Sequence, residues 1–207
     1  LLSRSVTVIT ALALLAAVAL GGVALERRAS DPPAKAAAEL KIRHQWQETL
    51  LCVPTAAAMI LDYYGDPQPP RRLKRLSRGQ AYDPRAPFDD FTITPFRDLI
   101  RGMAPLGYAW REQTYPDTKA GFDTGMLAIE GEVRAGRPVM VDVSAGRIGH
   151  TVVISGADSR TRMLVVVDPD TPSPGRHVMS YEQFSSFWNE RAYGGAFRAM
   201  VVTRQKA

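Results

Sequence analysis

One cysteine and three histidines in 207 residues rule out several kinds of chemistry at once. A single thiol cannot close an internal disulfide, so this is not a small cross-linked scaffold. Nor do Cys52 and the scattered His44, His150 and His177 have the spacing of a zinc site, and no metal or other cofactor is expected. The Gly-x-Ser-x-Gly turn of a serine hydrolase is missing, as is a phosphate-binding glycine loop. Asp83, Asp89 and Asp90 lack the spacing of a calcium loop and read as loop solvation. No basic run alternates with aromatics as a nucleic-acid groove requires. The net charge of +5, most of it arginine, therefore reads as a solvated basic surface, and no nucleic-acid partner is expected.

What is present begins with an apolar run. Arg4 precedes an uncharged stretch from Val6 to Leu25, and Glu26, Arg27 and Arg28 follow it. About 20 such residues span a bilayer, while Ala19, Gly21, Gly22 and Ala24 offer cleavage sites, so residues 1–25 read as an N-terminal anchor or as a signal peptide. Either way the remainder is expected outside the cytoplasm, periplasmic or extracytoplasmic, with membrane contact only through this segment if it stays uncleaved. Residues 26–40, with Ala29, Asp31, Pro32 and Pro33, read as a linker, and 41–207 as one domain. Exported domains use cysteines in pairs, so the lone Cys52 should be either buried or reactive.

The periodicity predicts helices first and strands later. Cys52 to Tyr64 is apolar on most faces, carries Pro54 in its first turn and stops at Gly65. After a proline-rich stretch with a short helix near Arg71 to Leu76, Thr94-Pro95 opens a helix with Phe96, Leu99, Ile100 and Met103 at helical spacing. A strand is expected within Gly107 to Thr114 and a third helix from Thr124 to Ala135. Pro138 to Val143, Thr151 to Ser155 and Met163 to Val167 are valine-rich strands, the last two forming a hairpin. His177 to Met179 is a further strand, Ser180 with Gln183 forms a capping box, and Phe197 to Thr203 closes the chain. The order is that of an α+β domain, with helices packed on a C-terminal antiparallel sheet.

A thiol at the start of a buried helix faces unpaired N–H groups and the positive end of the helix dipole, both of which favour the thiolate. Against that, Leu50, Leu51 and Val53 fit a small buried hydrophobe equally well. A catalytic Cys52 needs an imidazole. His150, after Gly149 and at the head of an apolar strand, is the candidate; His177 has less context, and His44 reads as surface. The hairpin register brings Asp168 beside His150 as the acceptor that orients the ring, with Asp170 as the alternative. Oxyanion donors would be the Cys52 N–H and the side chain of Gln47, or of Gln45 in its place.

The run Gln47-Glu48-Thr49-Leu50-Leu51-Cys52-Val53-Pro54-Thr55-Ala56-Ala57-Ala58-Met59-Ile60-Leu61, ending in Tyr63-Tyr64-Gly65, resembles the active-site helix of papain-like cysteine peptidases. Gly149-His150-Thr151-Val152-Val153 and Val167-Asp168-Pro169 resemble the histidine strand and Asp-Pro of their bacterial branch, which includes the double-glycine peptidases of bacteriocin exporters. The resemblance covers roughly residues 41–203. It implies a papain-like fold, a peptide or protein substrate, and Cys52, His150, Asp168 and Gln47 as nucleophile, base, orienting acid and oxyanion donor. Two positions depart from the pattern. The glutamine usually stands six residues before the cysteine, where this chain has Trp46, and Leu51-Cys52-Val53 replaces Asp-Cys-Gly. Without a phosphate-binding loop, leader processing by an exporter is not implied. The same nucleophile could also serve an acyl or peptidyl transferase, and the same shell a non-catalytic peptide-binding module.

Overall fold

The computed structural model describes residues 39–145 and 147–206. The expected anchor or signal at 1–25 and residues 26–38 of the expected linker lie outside them. Among the described residues no helix is long and apolar enough to cross a membrane. Glu39 and Leu40, at the end of that linker, are docked. The Leu40 N–H donates to the Ser155 carbonyl (2.8 Å), and Glu39 pairs with Arg176 (2.6 Å).

Three helices come first: α1 (Cys52–Tyr63), α2 (Pro70–Ser77) and α3 (Phe96–Met103). Then come strand β1 (Arg111–Pro116), helix α4 (Lys119–Arg134), and strands β2 (Val139–Ala145), β3 (Ile148–Asp158), β4 (Met163–Val167) and β5 (Arg176–Ser180). Helix α5 (Tyr181–Phe187) and strand β6 (Phe197–Val202) complete the chain. The strands form one antiparallel sheet in the order β1-β6-β2-β3-β4-β5, so the domain is α+β as expected.

The continuous apolar runs of β2, β3 and β6 follow from a sheet covered on both faces. Met140, Val153, Val167, Ala199 and Val201 turn to one side and pack against α1. Val139, Val141, Val152, Ile154, Met200 and Val202 turn to the other and meet α4 and α5. Helix α1 is buried from Val53 to Leu61, which is why its sequence shows no polar face.

Two elements begin earlier than periodicity alone predicts. Helix α4 starts at Lys119 because the Thr118 hydroxyl accepts the Gly121 N–H (3.1 Å), a cap that lies upstream of the apolar pattern. Gly121 is required there, since a Cβ would stand 2.1 Å from the Pro116 carbonyl oxygen. Strand β3 outruns its apolar stretch at both ends, pairing Ile148 with Ala145 of β2 and Asp158 with Met163 of β4. The expected capping box forms, with Gln183 N–H to Ser180 Oγ (3.1 Å) and Ser180 N–H to Gln183 Oε1 (2.9 Å).

Candidate active site

Cys52 is the first residue of α1 and is half-buried. The residue that caps the helix, Leu51, offers no side-chain acceptor. The first-turn N–H groups are therefore free to face the sulfur or a ligand. Leu50 holds a left-handed φ of 59°, rare for a leucine, and its backbone turns the chain sharply into the helix. Burial alone would push the Cys52 thiol up. The hydrogen bond from His150 and its imidazolium charge, with the Val53 N–H, outweigh burial and hold the thiol below its ordinary pKa.

His150 lies in β3, and Asp168 follows the last residue of β4. His150 Nε2 stands 2.7 Å from Asp168 Oδ1, both side chains over nine-tenths buried. That bond leaves Nδ1 for Cys52. Burial pushes the imidazole pKa down, but Asp168 and Cys52 reverse this and raise it to about 10. Asp168, which burial would raise, is held below the usual carboxylate range by His150. The three groups thus favour a thiolate, an imidazolium and a carboxylate in contact.

The turn carrying Asp168 is clamped from several sides. Its N–H donates to the Gly175 carbonyl (2.8 Å), and its Oδ1 also accepts the Asp170 N–H (2.8 Å). His44 is not a surface residue, contrary to expectation. Its Nε2 donates to the Asp168 carbonyl (3.1 Å), and its ring packs so closely on Gly175, at φ +60°, that a Cβ would meet it at 2.1 Å. No local pattern marks His44, because its partners lie more than a hundred residues away. His177 pairs with Thr171 Oγ1 (3.0 Å).

Asp168, rather than the alternative Asp170, makes the bond to His150. Burial raises Asp170, which takes a hydrogen bond from the Gln47 amide. The Gln47 N–H donates to the Pro169 carbonyl (2.8 Å), and its Oε1 is buried without a partner. The contacts of Gln47 among the described residues therefore go to the Asp-Pro turn, not to Cys52. Gln45 makes no side-chain hydrogen bond among them.

Cys52 opens into a cleft of about 360 Å³. Leu50, Ile93, Phe197 and Tyr193 give it apolar walls, and Glu112, Asp142 and Glu190 line it as well. The Tyr193 ring rests on Gly149, whose missing side chain admits it; a Cβ there would stand 2.1 Å from the ring. Ile93 and Thr94 end the proline-rich stretch, which reaches the cleft only there. Lys74, within the basic cluster of α2, is completely buried rather than solvated. Its ammonium donates to the Thr92 and Ile93 carbonyls and to Thr94 Oγ1 (2.9 Å), tying this wall to α2. Asp90, read as loop solvation, is instead largely buried beside Arg78 (3.3 Å), while Asp89 stays exposed as expected, paired with Arg75 (2.9 Å).

The sequence profile of the Peptidase_C39 like family matches residues 39–196. Comparison with curated proteins finds no match. Among solved structures, the chain is similar to the peptidase domain of Streptococcus ComA, a bifunctional ABC transporter involved in a quorum-sensing pathway. That match has 23% identity and a TM-score of 0.51, and covers 80% of this chain and 99% of the other. A double glycine motif protease from an AMS/PCAT transporter, in complex with the leader peptide, matches at 16% identity and TM-score 0.47, covering 81% and 95%. Xylellain, a cysteine protease from Xylella fastidiosa, matches at 12% identity and TM-score 0.46, covering 90% and 94%.

Proposed function

Because this chain belongs to the Peptidase_C39 like family, with a cysteine-peptidase fold, we propose that it hydrolyses peptide bonds through a thioester on Cys52. The observation that carries this reading is the contact of Cys52, His150 and Asp168, with the thiol held low and the imidazole high. The Cys52 thiolate attacks the scissile carbonyl carbon, and the carbonyl electrons move to oxygen. The free Cys52 N–H at the helix start supports that oxyanion. His150, as imidazolium, gives its proton to the departing amine as the C–N bond breaks, leaving a thioester and a neutral ring. The ring then takes a proton from water, whose oxygen attacks the thioester. Collapse releases the acid and restores the thiolate–imidazolium pair. Asp168 fixes the ring so that Nδ1 faces sulfur. Gln47 would serve as a second oxyanion donor only if its amide turned from Asp170.

We place the reaction outside the cytoplasm, on the support of the uncharged Val6 to Leu25 run. Protection of the domain from added protease in spheroplasts, with digestion only after the cytoplasmic membrane is lysed, would contradict that placement. The activity is tested by incubating the full chain and its Cys52→Ala variant with a diverse peptide mixture and reading products by mass. The expected result is cleavage with addition of water, absent in the variant. Products carrying an added amine instead indicate a transferase, and a complete lack of products favours a binding module.

A further inference from the structure

Among the described residues, buried carboxylates are paired with cations, with two exceptions. Glu130 meets Arg134 (2.5 Å), Asp158 meets Arg160 (3.3 Å) and Asp168 meets His150 (2.7 Å). Asp142 and Glu190, 9% and 7% exposed, have no cationic partner among the described residues. Both line the cleft into which Cys52 opens. An uncompensated buried anion is costly. The two carboxyls lie close enough to act on each other's protonation. Burial first, and then Glu190, hold Asp142 well above the usual range, while burial raises Glu190. The pair therefore lacks the positive charge that offsets the other buried carboxylates.

The neighbouring groups do not neutralise it. The Thr151 hydroxyl donates to Asp142 Oδ1, which fixes the carboxyl but brings no charge. Glu112 adds a third carboxyl, also raised by burial. The cation on the rim, Arg97, has a side chain 81% exposed and lies 4.0 Å from Asp98. Meanwhile the walls around the acids are apolar: Leu50, Ile93, Phe197 and the Tyr193 ring. A volume of about 360 Å³ leaves ample room for a long side chain. Apolar walls want an aliphatic stem, and the buried pair lining the same cleft lacks a positive head group.

We propose that this cleft is a specificity pocket for a lysine-like side chain of the substrate, its ammonium held by the Asp142–Glu190 pair and its methylenes by Leu50, Ile93 and Phe197. The inference rests on the cysteine-peptidase reading and adds a substrate class to it. A binding ammonium completes the buried pair as Arg134 and Arg160 complete Glu130 and Asp158, and a neutral side chain of equal length does not.

The test is alkylation of Cys52 in the full chain by matched peptidyl chloromethyl ketones. One pair carries lysine or norleucine at the reacting residue, and a second pair carries them at the residue before it. The mass gained at Cys52 is followed, so turnover is not needed. In one of the two pairs, the lysyl reagent should react at least ten times faster than the norleucyl one at pH 7. That ratio should fall towards one in Glu190→Gln, which keeps the backbone bonds of Glu190 to Phe197, Tyr193 and Gly195. Equal rates in the native protein overturn the pocket and leave the reactive thiol standing. A lysyl preference untouched by Glu190→Gln also overturns it. Labelling by none of the four reagents overturns the cysteine-peptidase reading, and the pocket with it.

Discussion

Asp168→Asn keeps the shape of the side chain and removes its charge. In the native site, Asp168 and Cys52 overcome burial and raise the His150 imidazole from 6.5 to about 10. At about 1.36 kcal/mol per pH unit, that is a preference for the imidazolium of roughly 5 kcal/mol. If the carboxylate supplies about half, the variant loses on the order of 2 kcal/mol of it. A group whose pKa is raised on folding contributes stability fully present below its unfolded value and lost as pH rises through its folded value. For His150 that window runs from 6.5 to about 10. Urea unfolding at pH 6 and at pH 10.5 should therefore show the native protein losing about 2 kcal/mol more than the variant between the two conditions. Alkylation of Cys52 should shift in parallel, because a ring that holds its proton less firmly stabilises the thiolate less. An equal loss of stability in both proteins would refute the assignment of the His150 charge to Asp168.

Lys74→Met leaves the Thr92 carbonyl and the Thr94 hydroxyl without their buried donor, while Arg78 still donates to the Ile93 carbonyl. The expected cost is about 3 kcal/mol. Thermal unfolding should show it as a Tm lower by roughly 6–12 °C. Gly149→Ala places a methyl where the half-exposed Tyr193 ring rests, so the ring should swing out of the cleft. Faster nitration of Tyr193 at a stability within about 1 kcal/mol of native would show this. Ser180→Ala removes the N-terminal cap of α5 and should cost about 1 kcal/mol in urea unfolding, with little change at Cys52.

Where the sequence was readable, a local rule and the tertiary demand agreed. Helix α1 is apolar on every side because both the sheet and its neighbouring helices cover it, and Gly65, at φ +81°, stops it as its position predicts. The hairpin of β3 and β4 brings His150 to Asp168, although a bulge between Ile154 and Gly156 shifts the register on the way. Local rules failed where a residue's partner is distant in sequence. His44 looked like surface and instead holds the Asp168 carbonyl, 124 residues on. Lys74 sits among arginines that are solvated, and only the phase of α2, with Leu73 and Ser77 also inward, turns its ammonium into the protein. Asp142 and Glu190 belong to no short motif, since the sheet and the turn at Arg191–Tyr193 bring them together from 48 positions apart. Gln47 was placed by its distance from Cys52 along the chain, but a hydrogen bond to Pro169 draws it to the Asp-Pro turn.

The pairing of Cys52 with His150 is tested most directly by the pH dependence of Cys52 alkylation with iodoacetamide, in the full chain and in His150→Ala. The account predicts a thiolate already reactive well below pH 8 in the native protein. In the variant, where burial acts on the thiol without an imidazolium, reactivity should appear only at or above the ordinary value of about 8.5. A native thiol that titrates in the ordinary range and is unmoved by the substitution would contradict the account.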